Sequence, residues 1–450
     1  MQDNQNFTEG SILKKMLKFM LPILGALILQ AMYGAVDMLI VGQFGSSEGI
    51  SAVTTGSGIV NLATFTVCGL TMGVTILLGR YLGEKKEEKL SEVISGAIAF
   101  FGVLAIAVSV LLIVFALPLA QIMQAPKEAE ALTVEYTVIC GAGMIFVVAY
   151  NVISSIMRGM GNSNLPLIFV AIACGVNIIG DLVFVAWLQW DVAGAAIATI
   201  LAQAVSVILS LFIIKKQKMP FKIKKEYIKF NPEVKNFFFL GLPLAFQEIL
   251  TNITFLALCA FINALGLEES SGYGVGQRIQ SFVLLIPGSI MQSMSSFVAQ
   301  NVGAGKFDRA KKAMKTGITI GASVGVIIAY LSFFHGDLMS MVFTNEPSYI
   351  KCSADYLKGF ALEAIVTSFL FSFMGYFNGH GRSLFVMIQG LAQSILVRLP
   401  FAYIMSIQPD ANLMYIGLAA PAATIFGIIL CFIYYFKVNK ELKWKTESRI

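Results

Sequence analysis

Charge is scarce in this chain. Of its 450 residues only 13% are Asp, Glu, Lys or Arg, while 57% are hydrophobic. An ordinary soluble domain holds about 25% charged residues, so the composition excludes a water-soluble globular fold and identifies an integral membrane protein. Histidine is almost missing: His335 and His380 are too few and too far apart for an obvious metal centre. The six cysteines (Cys68, Cys140, Cys174, Cys259, Cys352, Cys431) form no C-x-x-C pair and fall mostly in apolar blocks. They suit small packing residues better than metal ligands or a disulfide framework. No polar stretch is long enough for a separate soluble domain, and no nucleophile motif or His cluster supports an enzyme. A net charge of +6 gives no support for nucleic-acid binding.

What the chain has instead is long apolar runs. The first, within Lys14 to Gly45, is near-continuously apolar from Met16 to Val41, enough for the roughly 20 helical residues that cross a bilayer core of about 30 Å. It is too long for a signal peptide, holds Asp37 and shows no small-residue cleavage site. Asp37 is costly there, about 2.5–3.5 kcal/mol for a carboxylate at a helix centre. Either it faces headgroups at the far interface, or it faces a bundle interior and binds a cation or proton.

Twelve spans are expected, at approximately 16–41, 52–79, 93–118, 130–157, 165–187, 192–214, 236–262, 276–300, 313–335, 350–377, 384–406 and 413–436. The connections alternate in charge. One side carries Lys14, Lys15, Lys18, the Arg80–Lys89 loop, Arg158, the Lys215–Lys235 connector, the Lys306–Lys315 loop, Arg382 and the tail from Lys437, together roughly 27 of the 32 basic residues. The positive-inside rule then predicts both termini in the cytoplasm.

The two halves repeat. Leu21-Pro22 corresponds to Leu242-Pro243, Phe44-Gly45 to Leu265-Gly266, Gly83 to Gly303, and Arg158–Ser163 to Asn378–Ser383, all about 220 residues apart. Ordered matches at one offset indicate a duplication. The expected organisation is an N-lobe over 1–214, a basic connector over 215–235, a C-lobe over 236–437 and a tail over 438–450. Six spans per half make the repeats parallel, with substrate expected between them near the midplane.

The ionisable residues inside the spans are Asp37, Asp181, Glu248, Glu363, Arg278 and Arg398. Asn177 and Asp181 lie four apart on one face of the fifth span, and Ala195 and Thr199 repeat that spacing on the sixth. At 1.5 Å per residue, Asp181 stands roughly 22 Å above Pro166, and Thr199 roughly 10 Å below the outer end of its span. Asp37 reaches the same outer half. Two carboxylates, an amide carbonyl and a hydroxyl at one depth suit a hard cation such as Na⁺, and the same pair of acids can hold a proton instead. The alternative is that Asn177, Asp181 and Thr199 are hydrogen-bonding glue between helices. Glu248 and Glu363 either attract a cationic substrate or pair with Arg278 or Arg398. Gln30, Tyr33 and Asn151 join Glu248, Glu363 and Arg278 as candidate substrate-cavity residues. Gly303-Ala304-Gly305-Lys306 imitates the end of a P-loop but lacks its first glycine and its Ser/Thr, and the sequon at Asn252 lies inside a span.

Taken together, YGAVDMLIVGQFG (Tyr33–Gly45), MRGMGNS (Met157–Ser163), GVGQRIQ (Gly274–Gln280), AQNVGAGKFDRAKKA (Ala299–Ala313) and FNGHGRS (Phe377–Ser383) resemble the multidrug and toxic compound extrusion (MATE) transporters over essentially the whole chain. The resemblance implies an all-α, twelve-helix membrane fold of two pseudo-symmetric six-helix lobes in a V. It further implies export of amphipathic, often cationic compounds against inward Na⁺ or H⁺ flow, with no other cofactor. In DinF-like and related prokaryotic members the N-lobe ion site maps onto Asp37, Asn177, Asp181 and Thr199. The acids of NorM-like C-lobes map onto Thr251 and Thr367, so that second ion site is not carried over. The family also implies a bacterial inner-membrane protein, taken here as a functional monomer. A lipid-linked oligosaccharide flippase of the same superfamily is the alternative, but it would favour a basic cavity, whereas the embedded charges here lean acidic.

Overall fold

A computed structural model describes residues 6–216, 228–409 and 411–447. Most of the connector between Lys215 and Lys235, and the end of the tail expected over 438–450, lie outside the described residues. Among the described residues every regular element is helical, as lipid demands of segments that must satisfy their own backbone hydrogen bonds.

The first half comprises α1 (Ile12–Phe44), α2 (Ser47–Gly83), α3 (Glu87–Val114), α4 (Ala116–Ile122), α5 (Lys127–Ala142), α6 (Met144–Gly159), α7 (Asn164–Asp181) and α8 (Asp191–Lys216). The second comprises α9 (Pro232–Asn263), α10 (Leu267–Gly303), α11 (Phe307–Phe334), α12 (Gly336–Met341), α13 (Pro347–Gly379), α14 (Ser383–Gln393), α15 (Leu399–Ser406), α16 (Leu413–Gly417) and α17 (Ala419–Glu447). Among the described residues eleven helical segments are long and apolar enough to cross a membrane, and twelve if the bent pair α5 and α6 is counted as one span.

Three spans are less regular than the apolar runs predict. The fourth is broken by 51° between α5 and α6, at Gly143. Ile200 of α8 occupies the space a Cβ at Gly143 would fill, so a residue without a side chain lets the neighbouring helix wedge into the bend. The fifth and eleventh spans each contain a π-helical turn, Leu182–Trp187 directly after Asp181 and Ser394–Arg398.

Two compact units form: Met1–Phe246 with Ala299–Lys306, and Gln247–Val298 with Phe307–Ile450. The first unit keeps the beginning of α9 because Glu233, 3% exposed, accepts from Lys89 (3.0 Å), Tyr81 (2.9 Å) and Asn236 (2.8 Å). Asn231 adds a bond to the Glu92 carbonyl at 2.8 Å. It also keeps the end of α10, and there the repeated glycines find their reason. A Cβ on Gly83 would collide with the Gln300 carbonyl, and one on Gly303 with the Arg80 carbonyl. The matched positions of the two repeats therefore let α2 and α10 cross in backbone contact.

Within the first unit, Val74, Leu78, Phe101, Val148 and Phe169 belong to a shared buried core. In the second, Tyr273, Tyr356, Phe360 and Ile416 do the same. Ahead of α1, the backbone of Phe7 is held by Gln300 and Asn301, and its ring, 1% exposed, packs edge-on against Phe19 at 4.9 Å.

Candidate functional site: a buried carboxylate pair in the first unit

Asp37 lies near the end of α1 and is 6% exposed; Asn177 and Asp181, one turn apart on α7, are fully buried. The i, i+4 spacing puts both α7 residues on one face, and packing turns that face toward α1 and α8. The carboxyl groups of Asp37 and Asp181 stand within hydrogen-bonding reach of one another. Two ionised carboxylates offer only acceptors, so this contact is satisfied only when a proton or a cation sits between them.

Thr199 on α8 completes the ring. Its hydroxyl accepts from Asn177 Nδ2 at 3.5 Å and is hydrogen-bonded with the Tyr33 hydroxyl. Ala195, one turn earlier on α8, is fully buried and supplies a small wall. Four buried oxygens have no donor: Asp37 Oδ1, Asp181 Oδ1 and Oδ2, and Asn177 Oδ1. Leaving such atoms unmatched costs about 1–3 kcal/mol each, more when charged. Carboxylate, amide and hydroxyl oxygens are also the donor set that a hard monovalent cation takes, so the residues present fit Na⁺ as well as H⁺.

The π-helical turn begins at the residue after Asp181, with the Leu188 amide bonded to the Val183 carbonyl at 2.9 Å. Such turns interrupt a helix at modest cost and concentrate at functional positions. At the near end of α8, Asp191 accepts from the Ser46 hydroxyl (2.6 Å) and amide (3.3 Å), fixing the α1–α2 turn against α8. A small cavity of about 20 Å³ adjoins the ring, lined by Gln30, Tyr33, Cys174 and Gln203 among others. It has room for one water.

The other residues singled out from sequence are more dispersed. Gln30 is exposed and reaches this cavity. Asn151 is buried in α6, where it donates to the Val147 carbonyl (2.9 Å) and accepts from Cys68 (3.1 Å). In the second unit Glu248 and Arg278 are exposed. Glu363 is 8% exposed and accepts from Thr424 at 2.8 Å, while its Oε2 has no donor. Arg398 stacks over Phe255 at 4.6 Å. Among the described residues, neither Glu248 nor Glu363 forms an ion pair within 4.0 Å with Arg278 or Arg398.

Sequence reasoning missed Tyr136 and Cys140 on α5, buried residues in the same core cluster as Val41, Ala195 and Val185, which flank the ring. Nothing in their spacing distinguishes them from ordinary packing residues.

Comparison with known proteins identifies the family. The MatE family model matches residues 22–183 and again 243–404, one copy in each half. The chain is 23% identical over 99% of its length to the "Probable multidrug resistance protein YoeA" of Bacillus subtilis, covering 96% of that protein. It is 26% identical to the "Multidrug export protein MepA" of Staphylococcus haemolyticus over 90% of both chains. A solved structure described as "Crystal structure of MATE in complex with MaL6" superposes with a TM-score of 0.92 at 20% identity, covering 98% of this chain and all of that one. With two family copies matching most of both halves, the chain belongs to the MatE family and is a multi-pass transporter of the cell membrane.

Proposed function

We propose that this transporter is a secondary active exporter of amphipathic organic cations, driven by Na⁺ or H⁺ moving inward. The observation that carries the proposal is the facing Asp37–Asp181 pair with its four unmatched buried oxygens. A carboxylate pair of this kind is matched once a single cation or proton sits between the two groups, which is what a coupling site requires. Asn177 and Thr199 contribute neutral oxygens; Tyr33, bonded to Thr199, fixes the direction of that hydroxyl. Ion binding and substrate binding would favour different conformations, which couples the two flows by alternating access.

The relatives' printed names, multidrug resistance and multidrug export, support drugs as the substrate class. Glu248, exposed on α9, is the acid best placed to attract a cationic substrate. Glu363, which accepts from Thr424, is a second candidate acid for a cationic substrate in the same half, at a buried position. The lysine and arginine distribution supports both termini in the cytoplasm, and bacterial relatives support the inner membrane.

The test is uptake of a fluorescent organic cation into proteoliposomes under an imposed Na⁺ gradient and, separately, a pH gradient. Transport driven by one gradient establishes antiport and names the ion. Folded protein that moves nothing under either gradient turns the assignment toward a lipid-linked oligosaccharide flippase.

A further inference from the structure

The first unit takes in two pieces of the second repeat, the beginning of α9 as far as Phe246 and the end of α10 from Ala299. Both are tied to the first repeat at the lysine-rich membrane end, and the two ties are reciprocal. The end of α10 grips the segment that leads into α1. Gln300, 3% exposed, accepts from the Phe7 amide, and the fully buried Asn301 donates to the Phe7 carbonyl at 3.3 Å. Lys306 donates to the Thr8 carbonyl at 3.0 Å, and Lys15 of α1 donates to the Asn6 carbonyl. Side chains thus hold three consecutive peptide groups ahead of α1. In the other direction, the end of α2 and the start of α3 grip the entry to α9. Tyr81 and Lys89 both donate to Glu233 in the first turn of α9, and Asn231, just ahead of it, donates to the Glu92 carbonyl.

The duplication puts both grips in register. Tyr81 and Asn301 are matched at the same offset as Gly83 and Gly303, each two residues before its glycine. Each therefore stands beside the point where α2 and α10 cross in backbone contact. The second helix of each repeat holds the entry to the first helix of the other. The chemistry of the two differs: Asn301 reads main chain beside a buried ring, and Tyr81 reads a carboxylate. Apart from the Phe7 ring, the bonds of both grips are polar, and their outermost members reach water. Lys306 is exposed, and the Lys89 side chain is 40% exposed. Water replaces hydrogen bonds at such a rim at small net cost, and at the glycine crossing no side chains interlock to resist rotation.

We propose that the two grips are clasps that open during transport: the ends of α10 and α2 release the entries to α1 and α9 each time the lysine-rich end opens between the repeats. The proposal rests on the alternating-access reading above and names contacts that such a cycle breaks. It also gives the AQNVGAGK stretch a task, since Gln300, Asn301 and Lys306 hold the segment ahead of α1 while Gly303 carries the crossing.

The experiment joins Thr8→Cys to Lys306→Cys in the full chain with a charged, reducible reagent that bridges two thiols, and intact mass confirms the link. In proteoliposomes, uptake of a fluorescent organic cation is expected to fall to the level of protein-free liposomes on linkage and to return with reductant. Wild type treated in the same way is the control, its six cysteines lying within helices. The ion-dependent shift in melting temperature, read on the same sample, reports the ion ring separately, so failure of that reading is told apart from failure of the clasp. Uptake by the linked protein at the unlinked rate makes the grips permanent fixtures and overturns the proposal. Should the Thr8 pair stop transport before linkage, Lys89→Cys with Glu233→Cys locks the other grip, and unhindered uptake after that linkage overturns it equally.

Discussion

Replacing Asp181 with asparagine changes one atom of a fully buried side chain and should disable the ion site without disturbing the fold. In the native site both Asp181 oxygens lack a donor, and the neighbouring group is another carboxyl. The variant's amide can donate directly to Asp37, closing the contact with neither proton nor cation. A hydrogen bond to a charged group is worth about 1.5–3 kcal/mol. An incoming ion must displace that bond while meeting one carboxylate in place of two. Affinity for the coupling ion therefore falls by roughly 10- to 150-fold at 1.4 kcal/mol per decade. The assay is the melting temperature of purified protein against NaCl at fixed ionic strength, and against pH, beside drug export from cells at matched protein levels. A ligand present at 100 times its dissociation constant stabilises by about 2.7 kcal/mol, a readily measured shift in the wild type. In Asp181→Asn the shift should vanish over the same range, and export should fall to the level of an empty vector. An undiminished ion-dependent shift together with full export would refute the reasoning and leave the carboxylate pair a structural feature.

Thr199→Ala removes the hydroxyl that Asn177 and Tyr33 share. It should weaken ion-dependent stabilisation by about 1 kcal/mol, roughly fivefold in affinity, with Thr199→Ser restoring it. Glu248→Gln should raise KM for cationic drugs by no more than about fivefold, because an exposed charge contributes up to about 1 kcal/mol, and leave neutral substrates unchanged. Transport kinetics on both substrate classes check it. Gly303→Ala forces a Cβ against the Arg80 carbonyl and should cost about 1–3 kcal/mol, seen as a lower melting temperature whatever the ion. Phe7→Ala empties a site that leaves the ring 1% exposed and should release the segment before α1, seen as faster proteolysis around Lys14 and Lys15.

The sequence by itself determined the spans and the duplication. Apolar runs as long as Met16–Val41 must become helices in lipid, since no other single segment satisfies its own backbone there. The offset linking Gly83 to Gly303 was legible too, as was the shared face of Asn177 and Asp181, because four residues on a helix is a local relation. Tertiary structure alone decided the rest. Asp37 meets Asp181 across 144 positions of chain, and Tyr33 meets Thr199, through the packing of α1 and α8 around α7. The bend at Gly143 arises from Ile200, far away in sequence, and the π-helical turn after Asp181 has no signature in residue spacing. That Gly83 and Gly303 are partners in contact as well as in repetition is likewise a fact of three dimensions. Periodicity records which side of a helix is apolar; which helix lies against that side is fixed only when distant segments pack.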